Sequence, residues 1–288
     1  MQCSDKLIEM FPMEEHSLFI MNQQVQESLL SEIKQTSNLE DKEWIDCFVS
    51  DGFYPYYTKQ KIKILFIGKE SLGIGGSDYI DILIDGILHN DPRGRAAWNR
   101  EHPDDPYKKI ITNNNDPFLS KILYITYGLN HDCPEWEDIP WASEIGTSRF
   151  ANDGGISFAI MNFSKLDNPS EISYSADIVR MNKYCEFLFR TGKNWHEKQI
   201  GILNPDLVIS MNLKHWFPYA FKCNYEDIWD VNLEVSFSNV VRLGHLPIEG
   251  KRIPIIDTFH FSAPGKRFMD FYYHPIIKAC KEYFKLLE

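Results

Sequence analysis

The sequence predicts an α/β protein with a mainly parallel sheet, and three observations point to this class. Four short apolar runs have the composition of buried strands, turn residues bound them, and helical patterns fall between them. Alternation of strands and helices is typical of a parallel sheet joined by crossover helices. The chain has 288 residues, of which 43% are hydrophobic, so it can bury a substantial core. We expect a three-layer α/β/α sandwich with a four-stranded sheet.

The four predicted strands are rich in β-branched or aromatic residues. They are Ile62–Ile67, Ile156–Met161, Leu207–Met211 and Ile253–Phe259. Lys63 interrupts the first run, and Pro254 and Asp257 interrupt the last. Since prolines and charges are favoured at edges and strand ends, we expect these two runs near such positions.

Helical patterns lie between the runs. Ser77 with Asp78, and Ser175, are suitable N-terminal caps, and Pro275 is suited to the first turn of a terminal helix. The three apolar faces contain Ile80, Leu83, Ile84 and Ile87; Ile178, Met181, Cys185 and Leu188; and Ile276, Ile277, Cys280, Phe284 and Leu287.

We divide the chain into an N-terminal helical extension, residues 1–60, and an α/β domain, residues 61–288. Val25, Leu29 and Ile33 share one helical face, which predicts that the extension packs on the core. The interval from about 89 to 155 is too long for one strand-to-helix connection. We therefore expect an insertion there, and a lid over the site is one interpretation of it.

Composition and charge exclude several classes of protein. The 30 Lys and Arg against 41 Asp and Glu give a net charge of −11, unlike proteins that coat nucleic acid through overall charge. No apolar run reaches the roughly 18 residues that span a bilayer, and the start lacks a signal-peptide pattern. We expect a cytoplasmic protein without membrane contact. The six cysteines include no C-x-x-C pair and the histidines have no metal-binding spacing, so we expect no metal or cofactor.

Residues whose side chains could bind a ligand or take part in catalysis directly follow the predicted strands. Ligands of parallel sheets bind at these strand ends. These residues are Gly68, Lys69, Glu70 and Ser71 after the first run, Asn162 after the second, and His260, Ser262, Lys266 and Arg267 after the last. Taken singly, each has an ordinary structural role: Glu70 as a helix cap or ion-pair partner, Asn162 as a turn residue, and the two cations as a solvated pair.

The order of these segments resembles the uracil-DNA glycosylase superfamily. KILFIGKESLG (63–73) is similar to its first strand and acidic loop, ISFAIMNFSK (156–165) to the strand ending in an Asn that binds the base, NPDLVISMN (204–212) to the third strand, and IPIIDTFHFSA (253–263) to the strand leading into the H-P-S motif. The resemblance covers residues 62 to about 285. It implies that fold, and cleavage of the N-glycosidic bond of an extruded uracil or related base in DNA, as in base-excision repair.

The resemblance also implies a role for each residue. Glu70 would activate water or stabilise charge, Asn162 would contact the Watson–Crick edge, and His260 would donate a hydrogen bond to the departing base. The pocket and phosphate contacts would come from Gly68, Lys69, Ser71, Ser262, Lys266 and Arg267. Lys69, Ser71 and Phe261 depart from the family pattern, and the sequence identifies no aromatic residue that stacks on the base.

Two other functions use the same segments. Ser71–Leu72 resembles the G-D-S-L block of SGNH hydrolases, and Asp257 with His260 has their D-x-x-H spacing. This esterase would use Ser71 as the nucleophile, His260 as its base and Asp257 as the orienting group, which requires Ser71 within hydrogen-bonding reach of His260. The third possibility is a noncatalytic module that binds a nucleobase or nucleotide, which the acidic charge favours over a DNA enzyme.

Overall fold

The protein, as a computed structural model, is described over residues 8–36, 47–71, 117–168, 178–230 and 240–287. It is an α/β protein whose described strands form one six-stranded, mostly parallel sheet in the order β1-β3-β2-β4-β6-β5. The strands are β1 (Gly52–Phe53), β2 (Ile64–Gly68), β3 (Ala159–Asn162), β4 (Leu207–Met211), β5 (Arg242–Ile248) and β6 (Lys251–Thr258).

Helices occupy much of the remaining described chain. They are α1 (His16–Thr36), α2 (Pro117–Asn130), α3 (Ala142–Glu144), α4 (Ile178–Thr191), α5 (Trp195–Leu203), α6 (Trp216–Phe221), α7 (Tyr225–Ile228) and α8 (His274–Lys278). Helix α3 continues as a π-helical turn, Ile145–Arg149, and α8 is flanked by two such turns, Met269–Tyr273 and Ala279–Tyr283. None of the described helices is long and apolar enough to cross a membrane.

The four predicted runs form the parallel centre of the sheet. β2 pairs with β3 on one side and β4 on the other, and β4 pairs with β6. Every residue of β2, β3 and β4 is buried, which accounts for their continuous apolar sequences. Lys63 lies at a strand end, directly before β2, as one of the two expected positions required. The other expected position, a sheet edge, does not apply, since β2 lies between β3 and β4 at the centre of the sheet.

The predicted number of four strands is also wrong. β5 forms an antiparallel hairpin with β6, and β1 pairs antiparallel with β3. β5 contains Gly244, His245 and Pro247, which weaken a strand pattern, and β1 has only two residues. Both strands are defined by their pairing with the sheet and have little local signal of their own.

The N-terminal part is more than a helical extension. Helix α1 is present as predicted, with Leu29 and Ile33 buried, and it packs against α5. Residues 47–60, however, run along the sheet and supply β1. The extension therefore shares one sheet with residues 61–288.

The other predicted helices differ in outcome. In α4, Met181, Cys185 and Leu188 are buried as expected, whereas Ile178 is 49% exposed. Pro275 lies in the first turn of α8, as predicted, and the π-helical turn Met269–Tyr273 precedes that helix. The helix predicted after Ser77 lies outside the described residues.

The expected insertion is described only from residue 117 onward. Its first element, α2, buries Leu119, Ile122 and Leu123 in the main core. Helix α2 is therefore a structural part of the domain rather than a lid.

Candidate functional site

The candidate site lies at the carboxyl edge of the parallel strands. The chain leaving β2 continues to β3 on one side of the sheet, whereas the chain leaving β4 continues to β5 and β6 on the other side. The connections after the neighbouring strands β2 and β4 therefore run in opposite directions. Such a switch point opens a crevice where α/β proteins bind ligands. The strand-end loops at this switch point carry the residues selected from the sequence.

Hydrogen bonds join the loop after β2, residues 68–71, to the loop after β3, residues 163–168. Three backbone N–H groups of the second loop donate to carbonyls of the first at 2.8 to 2.9 Å: Phe163 to Gly68, Ser164 to Lys69, and Asn168 to Ser71. The Asn168 side chain also donates to Glu70 Oε1 at 2.9 Å. The half-buried Glu70 carboxylate is thus held at the strand ends.

Asn162 ends β3 directly beside Gly68 of β2. The side chain is 7% exposed and makes no hydrogen bond with any described residue, so its amide can both donate to and accept from a ligand. A Cβ atom at residue 68 would lie 2.8 Å from Asn162 Oδ1. A glycine at this position therefore leaves room for the Asn162 amide.

His260 lies two residues beyond β6 and is half-buried. Its Nδ1 accepts the Ser262 backbone N–H at 3.2 Å, so a neutral ring carries its proton on Nε2. Burial, and then the charges of Lys69 and Lys121, lower the pKa of His260 to about 4. At neutral pH the ring is uncharged and offers an Nε2–H donor that is not bonded to any described residue.

Helix α2 places an aromatic ring and a cation beside His260. Phe118, in its first turn, is half-buried, with its ring centroid 5.9 Å from that of His260. One turn later, the buried Lys121 ammonium donates to the Phe261 carbonyl. Sequence reasoning missed both residues because they lie in the expected insertion, without a motif.

The three predicted phosphate contacts lie on the loop that follows His260. Ser262 is exposed. The Lys266 ammonium lies 4.2 Å from the centroid of the Phe259 ring, and Arg267 pairs with Asp270 at 2.6 Å. Both cations have partners within their own region.

The structure does not assemble the esterase triad. Ser71 Oγ donates to Asp167 at 2.8 Å rather than to His260. Asp257 accepts the Ser210 hydroxyl at 2.6 Å. His260 Nδ1 accepts the Ser262 backbone N–H, so the ring does not donate from Nδ1 to Asp257 as an orienting carboxylate requires.

Asp257 instead stabilises the loop after β4. It is buried, and the same Oδ1 atom accepts the Leu213 N–H at 2.7 Å. Burial raises the pKa of Asp257 to about 6, although these hydrogen bonds oppose the shift. A carboxyl with a raised pKa binds its proton more tightly in the folded state, so its contribution to stability falls as pH rises from about 4 to about 6.

We expect Asp257→Asn to remove this dependence while retaining an oxygen that accepts both hydrogen bonds. The free energy of unfolding of the variant, minus that of the wild type, should increase between about pH 4 and pH 6 and then level off. Urea unfolding at closely spaced pH values measures this difference. A difference that does not vary with pH would contradict the assigned role of burial.

A buried ion pair supports the site from the N-terminal side. The Lys165 ammonium lies 2.6 Å from Asp51 Oδ1, and Asp51 Oδ2 accepts the Asn162 N–H at 2.7 Å. Sequence reasoning missed Asp51, although an aspartate between apolar Val49 and Phe53 was a signal. Across the described residues no group of three or more His, Cys, Asp and Glu side chains is arranged to hold a metal.

No known protein family, curated protein or solved structure matches this chain. The described residues form an α/β protein with a mostly parallel sheet, and its strand-end loops carry the His260 imidazole, the Asn162 amide and the Glu70 carboxylate.

Proposed function

We propose that the protein is a uracil-DNA glycosylase-like hydrolase, which cleaves the N-glycosidic bond of an extruded uracil or related base in DNA. The observation that carries this proposal is the neutral His260 ring. Its Nε2–H is available at the same sheet edge as the Asn162 amide and the Glu70 carboxylate.

The site residues suit the charges that this reaction develops. As the glycosidic bond breaks, the base becomes negative and the sugar becomes oxocarbenium-like. The Nε2–H of His260 would stabilise the base, with Lys69 and Lys121 adding positive charge nearby. The Glu70 carboxylate would stabilise the sugar or orient the attacking water. The two groups therefore act on opposite sides of the breaking bond.

Base recognition would depend on Asn162 and Phe118. The amide presents one donor pair and one acceptor, which match the alternating polar atoms on a pyrimidine edge. Phe118 is a candidate for the stacking aromatic that the sequence did not identify, since its ring lies beside His260.

The local charge supports an anionic substrate despite the net charge of −11. Lys69 and Lys121 come close enough to His260 to lower its pKa. A small basic site on an acidic body attracts a phosphate backbone locally. The three-layer arrangement, the membership of this superfamily and the cytoplasmic location form part of the proposal. They are supported by the order of the motifs along the chain.

A nucleobase-binding module without turnover is the second candidate. The acidic net charge favours it, because DNA binding depends on contacts between cations and phosphates. It would use the same Asn162 and His260 contacts.

The decisive experiment measures free-base release from uracil-containing single-stranded and duplex oligonucleotides at low salt. We expect release by the wild type and at least a tenfold lower rate for Asn162→Ala, since an amide that pairs with the base is lost. Gly68→Ala should have a similar effect, because the new methyl would displace the Asn162 amide.

Ser148→Ala is the control, since Ser148 is exposed and its hydroxyl donates to the Glu144 carbonyl rather than to any residue of the proposed site. It should retain base release. Uracil binding without release at high enzyme concentration would favour the binding module, and loss of ester hydrolysis in Ser71→Ala would favour the esterase.

A further inference from the structure

We propose that Asp51 is a positioning residue for base recognition, and that through it helix α1 of the N-terminal part belongs to the site. This inference rests on the proposed function. It follows from a buried polar network that begins on α1 and ends on the backbone of Asn162.

The backbone of Asn162 is fixed from both sides. Its own N–H donates to Asp51 Oδ2 at 2.7 Å, and the following N–H, of Phe163, donates to the Gly68 carbonyl at 2.9 Å. The peptide groups on either side of the Asn162 Cα atom are therefore held. This determines the direction in which the side chain leaves the strand, over Gly68.

Asp51 is itself fixed by several partners. Its carboxylate lies 2.6 and 2.7 Å from the Lys165 ammonium and accepts a hydrogen bond from Gln199 at 2.9 Å. The Gln26 side chain bonds both backbone groups of Asp51, at 2.7 and 2.5 Å, and Asn22 donates to the same carbonyl at 2.9 Å. The carboxylate has little freedom to move.

Two of these partners connect the network to α1. Asn22 and Gln26 are four residues apart, so they lie on one face of that helix. Both are buried, as are Asp51 at 0% and Lys165 at 2% exposure. A displacement of α1 would pull on the Asp51 backbone and, through its carboxylate, on Asn162.

A purely stabilising role does not account for this arrangement. Buried ion pairs are often no more stabilising than apolar residues of the same size. Their cost is justified where a polar group must be held in one geometry, as in the support of a binding residue. Here the carboxylate bonds the backbone of the residue assigned to the base edge.

The test removes the ion pair as a unit, so that no unpaired charge is left in the core. Asp51→Leu/Lys165→Met should lower kcat/KM for uracil release at least tenfold and reduce the preference for uracil over cytosine. Asp51→Asn/Lys165→Met keeps an oxygen that can accept the Asn162 N–H, so it should recover most of that preference. The loss of preference and its recovery are effects that reduced stability alone would not produce.

Glu15→Gln is the matched control. Glu15 is another fully buried carboxylate of the N-terminal part, but it accepts the N–H groups of Tyr56 and Thr58, remote from the strand ends. It should change the unfolding temperature without changing base preference. Gln26→Met leaves the ion pair intact and serves as a second test if the leucine variant does not fold; it should also reduce base preference.

The outcomes separate the two proposals. Absence of base release by the wild type overturns the proposed function. Release by the wild type, together with wild-type rate and preference in a folded Asp51→Leu/Lys165→Met variant or in Gln26→Met, overturns the positioning role of Asp51 alone.

Discussion

Replacing His260 with alanine is expected to lower the rate of base release by about 10² to 10³-fold, the typical effect of losing one donor to a developing anion. The imidazole Nε2–H is assigned to the departing base, and alanine provides no replacement. His260→Gln retains an amide donor and should recover part of the activity. Single-turnover kinetics on a uracil-containing oligonucleotide measure the chemical step directly.

The pH dependence of the same reaction distinguishes a neutral donor from a charged one. Because the pKa of His260 is lowered to about 4, the ring stays neutral as the pH rises through 6.5. We expect no loss of activity from titration of His260 between about pH 5.5 and 8. A decline in activity as pH rises through 6.5, absent in His260→Gln, would show that an imidazolium acts instead.

His245→Ala is the control for general effects of removing a histidine. His245 lies on β5, away from the strand-end loops, and burial lowers its pKa also. This variant should retain the wild-type rate. Full activity in His260→Ala would overturn the assigned role of His260.

The largest effect on stability is expected for Lys165→Met. This change leaves the Asp51 carboxylate, which is 0% exposed, without its cation, and breaking a buried pair in this way costs about 3–5 kcal/mol. Burial lowers the pKa of Lys165 while Asp51 opposes that shift, so the two charges depend on each other. Urea denaturation followed by far-UV circular dichroism measures the free energy of unfolding.

Two comparisons identify the cause of the loss. Asp51→Asn/Lys165→Met removes both charges and should recover most of the stability. Lys193→Met removes one partner of an exposed ion pair with Glu32 and should have little effect. A loss in the double variant equal to that in Lys165→Met would show that packing, rather than the unpaired charge, is responsible.

Much of the sheet was predictable because its strands are local patterns. β2, β3 and β4 are buried on both faces, so each is a continuous apolar run in the sequence. β1 and β5 were not predictable in this way. Glycine, histidine and proline occupy β5, and pairing with β6 rather than local preference makes it a strand.

The residues of the candidate site were likewise predictable only in part. Glu70, Asn162 and His260 were identified because parallel strands bring their carboxyl ends to one edge. Phe118 and Lys121 were not identified from the sequence, since they contact the His260 region from a helix that carries no motif. Asp51 was not identified either, because it lies 111 residues from Asn162 in the chain.

The sequence by itself therefore determined the α/β class, the four central strands and the residues at their carboxyl ends. Each of these follows from short-range pattern and from the shared direction of parallel strands. Tertiary structure alone decided the two outer strands, the neutral state of His260, the hydrogen bond from Ser71 to Asp167 and the link from α1 to Asn162. These features depend on burial and on contacts between distant segments, which exist only once the chain has folded.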